Sequence, residues 1–156
     1  MSHSVLVVED EPNIVLSLKF VMEKAGFAVR VAGDGQEALN EIGKETPDLV
    51  LLDINLGAGM DGVEVCRRIR LSISSDVPIV MLTASDDMKS VLDSFNAGAD
   101  DYLIKPIKLT EMKGLCTHLL ELAIAQRIKK RRARYRELLD HGLRNRDTPE
   151  FFGMDK

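Results

Sequence analysis

The sequence contains no tryptophan, two tyrosines and five phenylalanines, so any core it builds is aliphatic. No apolar run approaches the roughly 18 residues that span a bilayer. The start, Met1-Ser-His-Ser-Val5, has no charged leader followed by a long apolar stretch. A membrane span and a secretory signal are therefore not expected, and a cytosolic setting is. Cys66 and Cys116 stand far apart without ligand-like spacing, and His3, His118 and His141 form no cluster. Reduced, semi-buried thiols are expected in place of a disulfide or a zinc site.

With 156 residues the chain has room for one fully cored domain and an appendage, but not for two ordinary domains. At 45% apolar and 29% charged residues, its composition excludes disorder throughout. The net charge of -4 hides an asymmetry. Residues 126–146 carry nine Lys/Arg against two acids, +7, whereas residues 1–125 carry eleven against twenty, -9. An acidic body and a basic extension need separate explanations.

Five apolar runs recur in the first 105 residues: Val5 to Val8, Phe27 to Ala32, Leu49 to Leu52, Val77 to Leu82 and Tyr102 to Ile104. Their Val, Ile and Leu content, with little polar alternation, predicts strands covered on both faces, as in a parallel sheet. Helical spacing fills the intervals. One helix starts near Pro12 and stops at Gly26, a second covers about Gln36 to Gly43, a third follows Asp61-Gly62, and a fourth spans about Asp86 to Ala97, with Gly98 after it. This βα alternation predicts an α/β fold, a flavodoxin-like doubly wound five-stranded parallel sheet. A closed eight-stranded barrel would need about a hundred more residues.

Parallel strands deliver their C-terminal ends to one edge, where ligands bind. That edge gathers Glu9 and Asp10 after the first strand, Asp53 after the third, Thr83 after the fourth and Lys105 after the fifth. Clustered carboxylates raise one another's pKa unless a cation intervenes, which points to a hard divalent metal, with Mg2+ the best fit. A remaining carboxylate can attack phosphorus to form an acyl phosphate while a fixed cation offsets charge on the transferring oxygens. Taken singly, Glu9 and Asp10 are equally well read as helix-capping acids, Lys105 as a surface lysine and Thr83 as a strand-end hydroxyl.

Val5-Leu-Val-Val-Glu-Asp-Glu-Pro12, Leu49-Val-Leu-Leu-Asp53, Met60-Asp-Gly62, Ile79-Val-Met-Leu-Thr-Ala84 and Lys105-Pro106 together resemble two-component response-regulator receivers, in order and spacing, from about residue 4 to 120. The resemblance implies that Asp53 accepts the phosphoryl group from a sensor histidine kinase or histidine phosphotransfer protein. It further implies Asp10, Asp53 and the main-chain carbonyl of Asn55 as magnesium ligands, with Glu9 acting through water. Lys105 and Thr83 would contact the phosphoryl group, beside a small Ala84 that leaves access. Thr83 and Tyr102 would form the switch, the Lys105–Pro106 peptide would be cis, and Asn55 and Ser85 would tune phosphoryl lifetime.

One departure from the family pattern is the loop Asn55-Leu-Gly-Ala-Gly-Met60, a residue longer than the commonest form and with glycines in place of proline. Those glycines either accommodate positive φ, the plainer expectation, or let the backbone approach the phosphoryl group or a partner. Aspartyl-nucleophile hydrolases are the competing class. They resemble the chain less, because they place a second Asp two residues after the nucleophile as general acid, and Asn55 stands there.

Beyond Pro106, helical spacing starts near Leu109 and meets no proline until Pro149. The expected division is a receiver over residues 1–122, a basic helical extension over 123–146 and a flexible tail over 147–156. An unbroken helix to Leu143 would be roughly 50 Å long, so its second half must project or fold back. Leu120, Ile124, Ile128, Tyr135, Leu138 and Leu139 form a thin apolar stripe that suggests a homodimer, though Arg131 and Arg132 interrupt it. The run Arg127 to Arg136 reads most simply as a solvated face. No helix-turn-helix pattern is present, which argues against DNA readout by these residues. Two functions stay open, a stand-alone signalling receiver and the receiver of a DNA-binding transcriptional regulator.

Overall fold

A computed structural model describes residues 3–57, 59–73, 76–84 and 88–144. Its strands are β1 (Ser4–Val8), β2 (Ala28–Ala32), β3 (Leu49–Asp53), β4 (Ile79–Thr83) and β5 (Asp101–Ile104). They form one parallel sheet in the order β2-β1-β3-β4-β5. The helices are α1 (Pro12–Lys24), α2 (Gly35–Lys44), α3 (Gly62–Arg68), α4 (Met88–Ala97), α5 (Leu109–Glu121) and α6 (Ile124–Arg144). This is the doubly wound α/β architecture expected from the alternating runs.

Local chemistry starts the helices where the sequence suggests. Pro12 opens α1, where its missing N–H costs nothing. Asp34 caps α2 by accepting from the Glu37 amide at 2.8 Å, and Asp61 caps α3 by accepting from the Glu64 amide at 2.9 Å. The third helix runs on as π-helical turns over Ile69–Ile73.

Pleating divides the apolar strands between two cores. Leu6, Val8, Val50, Leu52, Ile79 and Met81 face the side covered by α2, α3 and α4. Val5, Val7, Leu49, Leu51, Val80 and Leu82 face α1 and α5, meeting Leu18, Met22, Met112, Cys116 and Leu119. Fully burying one such aliphatic side chain contributes about 1.5–3 kcal/mol, so both faces hold the strand ends in place. Both cysteines are free and buried, and burial pushes each thiol up to about 12.

The helical pattern after Pro106 is interrupted at Leu122 and Ala123, and α6 turns back onto the body next to α4 and β5. Leu138 is buried in the α2–α3–α4 core, and Tyr135 and Leu139 pack against it. Much of the apolar stripe is thus used within the chain, leaving Ile124 exposed and Ile128 half-buried for a second copy. The tail 147–156 lies outside the described residues.

Charge fixes the position of α6. Asp100, 1% exposed, accepts from the Ile79 amide at 2.9 Å and lies 3.0 Å from Arg70, 3.4 Å from Arg127 and 3.0 Å from Arg131. Asp101 meets Lys130 at 3.3 Å and Arg134 at 3.5 Å. Arg127, itself buried, also donates to the Asp76 carbonyl. Removing one partner of a buried ion pair strands the other charge and costs about 3–5 kcal/mol. Asp100→Asn should therefore lower unfolding stability by about that amount in urea titration, whereas Arg134→Ala, on the more exposed pair, should cost under about 1 kcal/mol.

Candidate functional site

The parallel register brings the strand ends to one edge. The Glu9 amide bonds to the Ala32 carbonyl at 3.0 Å, the Ile54 amide to Leu82 at 2.9 Å and the Lys105 amide to Thr83 at 2.8 Å, so each chain leaves the sheet held by its neighbour. Glu9, Asp10 and Asp53 consequently place carboxylate oxygens within 4.8 Å of one another. Lys105 Nζ lies 2.9 Å from Glu9 Oε1 and 3.2 Å from Asp53 Oδ2. Glu9 and Asp53 are buried, Asp10 is exposed and Lys105 is half-buried.

The electrostatics follow from this crowding. Burial, reinforced by Asp53 and opposed by the Lys105 hydrogen bond, raises Glu9 from 4.5 to about 7. Burial alone would lower Lys105, but its contacts with Glu9 and Asp53 outweigh that and leave it raised. An oxygen-only donor set with surplus negative charge suits a hard divalent cation, so the residues present fit magnesium.

Three further observations complete the site. Thr83 is fully buried, and its Oγ1 has no hydrogen-bond partner among the described residues, a state that costs about 1–3 kcal/mol unless an acceptor or donor arrives. The Asn55 amide donates to Asp53 Oδ1 at 3.1 Å, while Asn55 itself is exposed. Ala84, Lys105 and Pro106 border a groove of about 410 Å³ with Asn13, Ile14 and Ser17 of α1. The Lys105–Pro106 peptide is cis. Ser85 lies outside the described residues.

The glycine loop fills the first of its alternative roles. Gly59 adopts a φ of +94°, as the plainer expectation has it. Gly57, however, donates its amide to Asp10 Oδ2 at 2.9 Å, and a Cβ there would come 2.7 Å from that oxygen. The Gly57 backbone thus comes up against the Asp10 carboxylate, a contact that sequence alone did not signal. Tyr102 stands away from the carboxylates, half-buried, with its ring edge-to-face on Phe95 at 6.3 Å and the Arg134 guanidinium 5.5 Å from its centroid. The Arg134 contact had no signal in the sequence beyond the basic character of the extension.

The response regulator receiver domain family matches residues 5–116. This chain belongs to that family. The receiver is 46% identical over 112 residues to the DNA-binding response regulator MtrA of Mycolicibacterium smegmatis, covering 72% of this chain and 48% of that protein. Among solved structures it resembles a CheY-like receiver domain protein from Methanospirillum hungatei, with TM-score 0.72 and 28% identity over 78% of this chain and 95% of the other. It resembles equally the receiver domain of the sensor histidine kinase PA1611 from Pseudomonas aeruginosa, which has magnesium coordinated in its active-site cleft (TM-score 0.72, 28% identity, 78% of this chain and 100% of the other). The receiver spans about half the length of the curated relatives it matches. Among the described residues no helix is long and apolar enough to cross a membrane.

Glu9 sets a pH dependence for the metal-free receiver. A carboxyl whose pKa is raised from 4.5 to about 7 on folding keeps its proton while the unfolded chain loses one, so its contribution is fully present below the unfolded value and is lost as pH rises through the folded value. Stability in EDTA should therefore decline from about pH 5 to about pH 7, and Glu9→Gln should flatten that slope in chemical denaturation.

Proposed function

We propose that this receiver is the phosphoacceptor of a two-component pathway: Asp53 takes a phosphoryl group from a histidine kinase or a histidine phosphotransfer protein, and its modification switches a protein-interaction surface. The observation that carries this reading is the buried Asp53 carboxylate 3.2 Å from Lys105 Nζ, beside two further acids and a Thr83 hydroxyl without a partner among the described residues. In the transfer an Asp53 oxygen forms the new O–P bond, the N–P bond of a phosphohistidine breaks, and the freed imidazole takes up a proton. Lys105 offsets charge on the transferring oxygens from a position already fixed. Thr83 Oγ1 then donates to a phosphoryl oxygen and gains the partner it lacks.

Asp10 and Asp53 would hold magnesium directly, with the Asn55 carbonyl, and Glu9 through water. When bound, the cation neutralises negative charge shared by the carboxylates and the phosphoryl oxygens. Small Ala84 leaves the approach open, and the groove along α1 is where a phosphodonor protein would lie. Leu16 and Phe20 on α1 are large apolar side chains left exposed, 71% and 63%, near that groove, which supports protein docking there.

A second reading is favoured by one observation: MtrA is named a DNA-binding response regulator, and this chain corresponds to about half of it. Under that reading the chain is the receiver of a transcriptional regulator whose DNA-binding output module is missing or supplied in trans. Hydrolase chemistry has less support, because Asn55 occupies the place a general acid would need.

Incubation with a small-molecule acyl phosphate and magnesium should add one phosphate to the wild type and none to Asp53→Asn, read by intact mass. Lys105→Ala should slow the transfer by about a hundredfold, the usual scale for losing a preorganised electrostatic partner. Undiminished labelling of Asp53→Asn would refute the assignment.

A further inference from the structure

The basic extension packs on the body with more positive charge than that packing consumes. Five cations, Arg70, Arg127, Lys130, Arg131 and Arg134, share the two carboxylates of Asp100 and Asp101. Arg131 Nε is buried and has no acceptor among the described residues. Arg132 and Arg136, one turn apart, are exposed and form no ion pair with any described residue.

These surplus charges border a specific hollow. A groove of about 450 Å³ lies between α4 and α6, with Phe95, Tyr135 and Leu139 among its walls and Arg131, Arg132 and Arg136 along it. Tyr135 is held by a 3.2 Å hydrogen bond from Asn96 Nδ2 to its hydroxyl, which fixes α6 against α4 across the groove. Most of the residues lining the groove lie beyond residue 116, outside the part of the chain the receiver family describes.

We propose that the α4–α6 groove is a binding site for an acidic, amphipathic segment of a partner protein, with carboxylates on the guanidinium rim and apolar side chains against Phe95 and Leu139. Charge complementarity selects the sign of the ligand, since Arg132 and Arg136 on the groove pair with no described acid and the nearest buried acids are already paired. The apolar walls select the kind of ligand. Carboxylates alternating with apolar side chains satisfy both surfaces, whereas a phosphate backbone would use only the rim. Arginine is suited to this task because its planar fork binds carboxylates in two-point fashion. The site exists whether or not Asp53 is modified, so it goes beyond the phosphoacceptor reading and stands or falls separately.

The test uses the full chain, unphosphorylated, at physiological salt, with a short fluorescein-labelled peptide alternating glutamate with leucine, followed by fluorescence anisotropy. Arg132→Glu/Arg136→Glu should weaken binding at least about tenfold, and circular dichroism should show the fold retained, because neither side chain holds an ion pair with a described residue. Lys19→Glu/Lys113→Glu changes the net charge equally on exposed positions of α1 and α5 and should leave affinity within about twofold. A glutamate-only peptide should bind more weakly than the alternating one. Equal losses in the two double variants, no loss in the first, or a labelled DNA duplex that binds more tightly than the peptide and displaces it would each overturn the proposal.

Discussion

Three carboxylates confined within 4.8 Å would repel strongly without fixed positive charge among them, and Lys105 supplies it. Much else at this end of the molecule is arranged around that balance. The ammonium reaches Glu9 and Asp53 because the β5 chain leaves the sheet with its amide bonded to Thr83. Asp10 is steadied from the other side by the Gly57 amide, at a position where a side chain would collide. One cation cannot neutralise three acids, and Glu9, raised chiefly by burial and further by Asp53, carries part of the cost. A site in that state is poised for added positive charge, and its all-oxygen donors favour a hard ion.

The strand β5 connects this balance to a second one of opposite sign. Asp100 and Asp101 stand at its start and Lys105 just past its end. At the start two acids collect five cations from α6 and the π-helical turn, leaving positive charge in excess; at the end three acids collect one cation, leaving negative charge in excess. The +7 and -9 halves of the sequence are thus not merely solvated apart, since part of the basic extension neutralises acids of the body. Asp100 is buried with Arg127, so this pairing determines where α6 lies more than it adds to net stability, as is usual for desolvated ion pairs.

The fold was legible because β-runs of Val, Ile and Leu alternate with capped helices, and the observed strands begin or end within two residues of the apolar runs. The gathering of Glu9, Asp10, Asp53, Thr83 and Lys105 was legible for a related reason: parallel strands share one C-terminal edge, so residues remote in sequence meet without any detail of packing. Contacts that depend on side-chain reach were not legible. Gly57 reads as a turn residue until Asp10 is placed beside its amide, and the Asp100-Asp101 pair reads as an ordinary strand-start until α6 folds back over it. The break at Leu122 and Ala123 was equally hidden, because neither residue is a helix breaker and the apolar spacing continues across it.

Tyr102 lies between the two charge balances, and its surroundings show how one can affect the other. Its ring sits edge-on to Phe95, a wall of the α4–α6 groove, and under the Arg134 guanidinium of the extension. The same strand ends at Ile104, paired with Thr83, and leads directly to Lys105 at the carboxylates. A displacement of Lys105 and Thr83 toward a new group on Asp53 therefore acts on a strand whose one aromatic ring contacts both α4 and α6. Packed interiors transmit such shifts because they leave little free volume to absorb them. The extension thus supplies, through Arg134, one of the contacts through which a change at the strand ends would be felt at the surface.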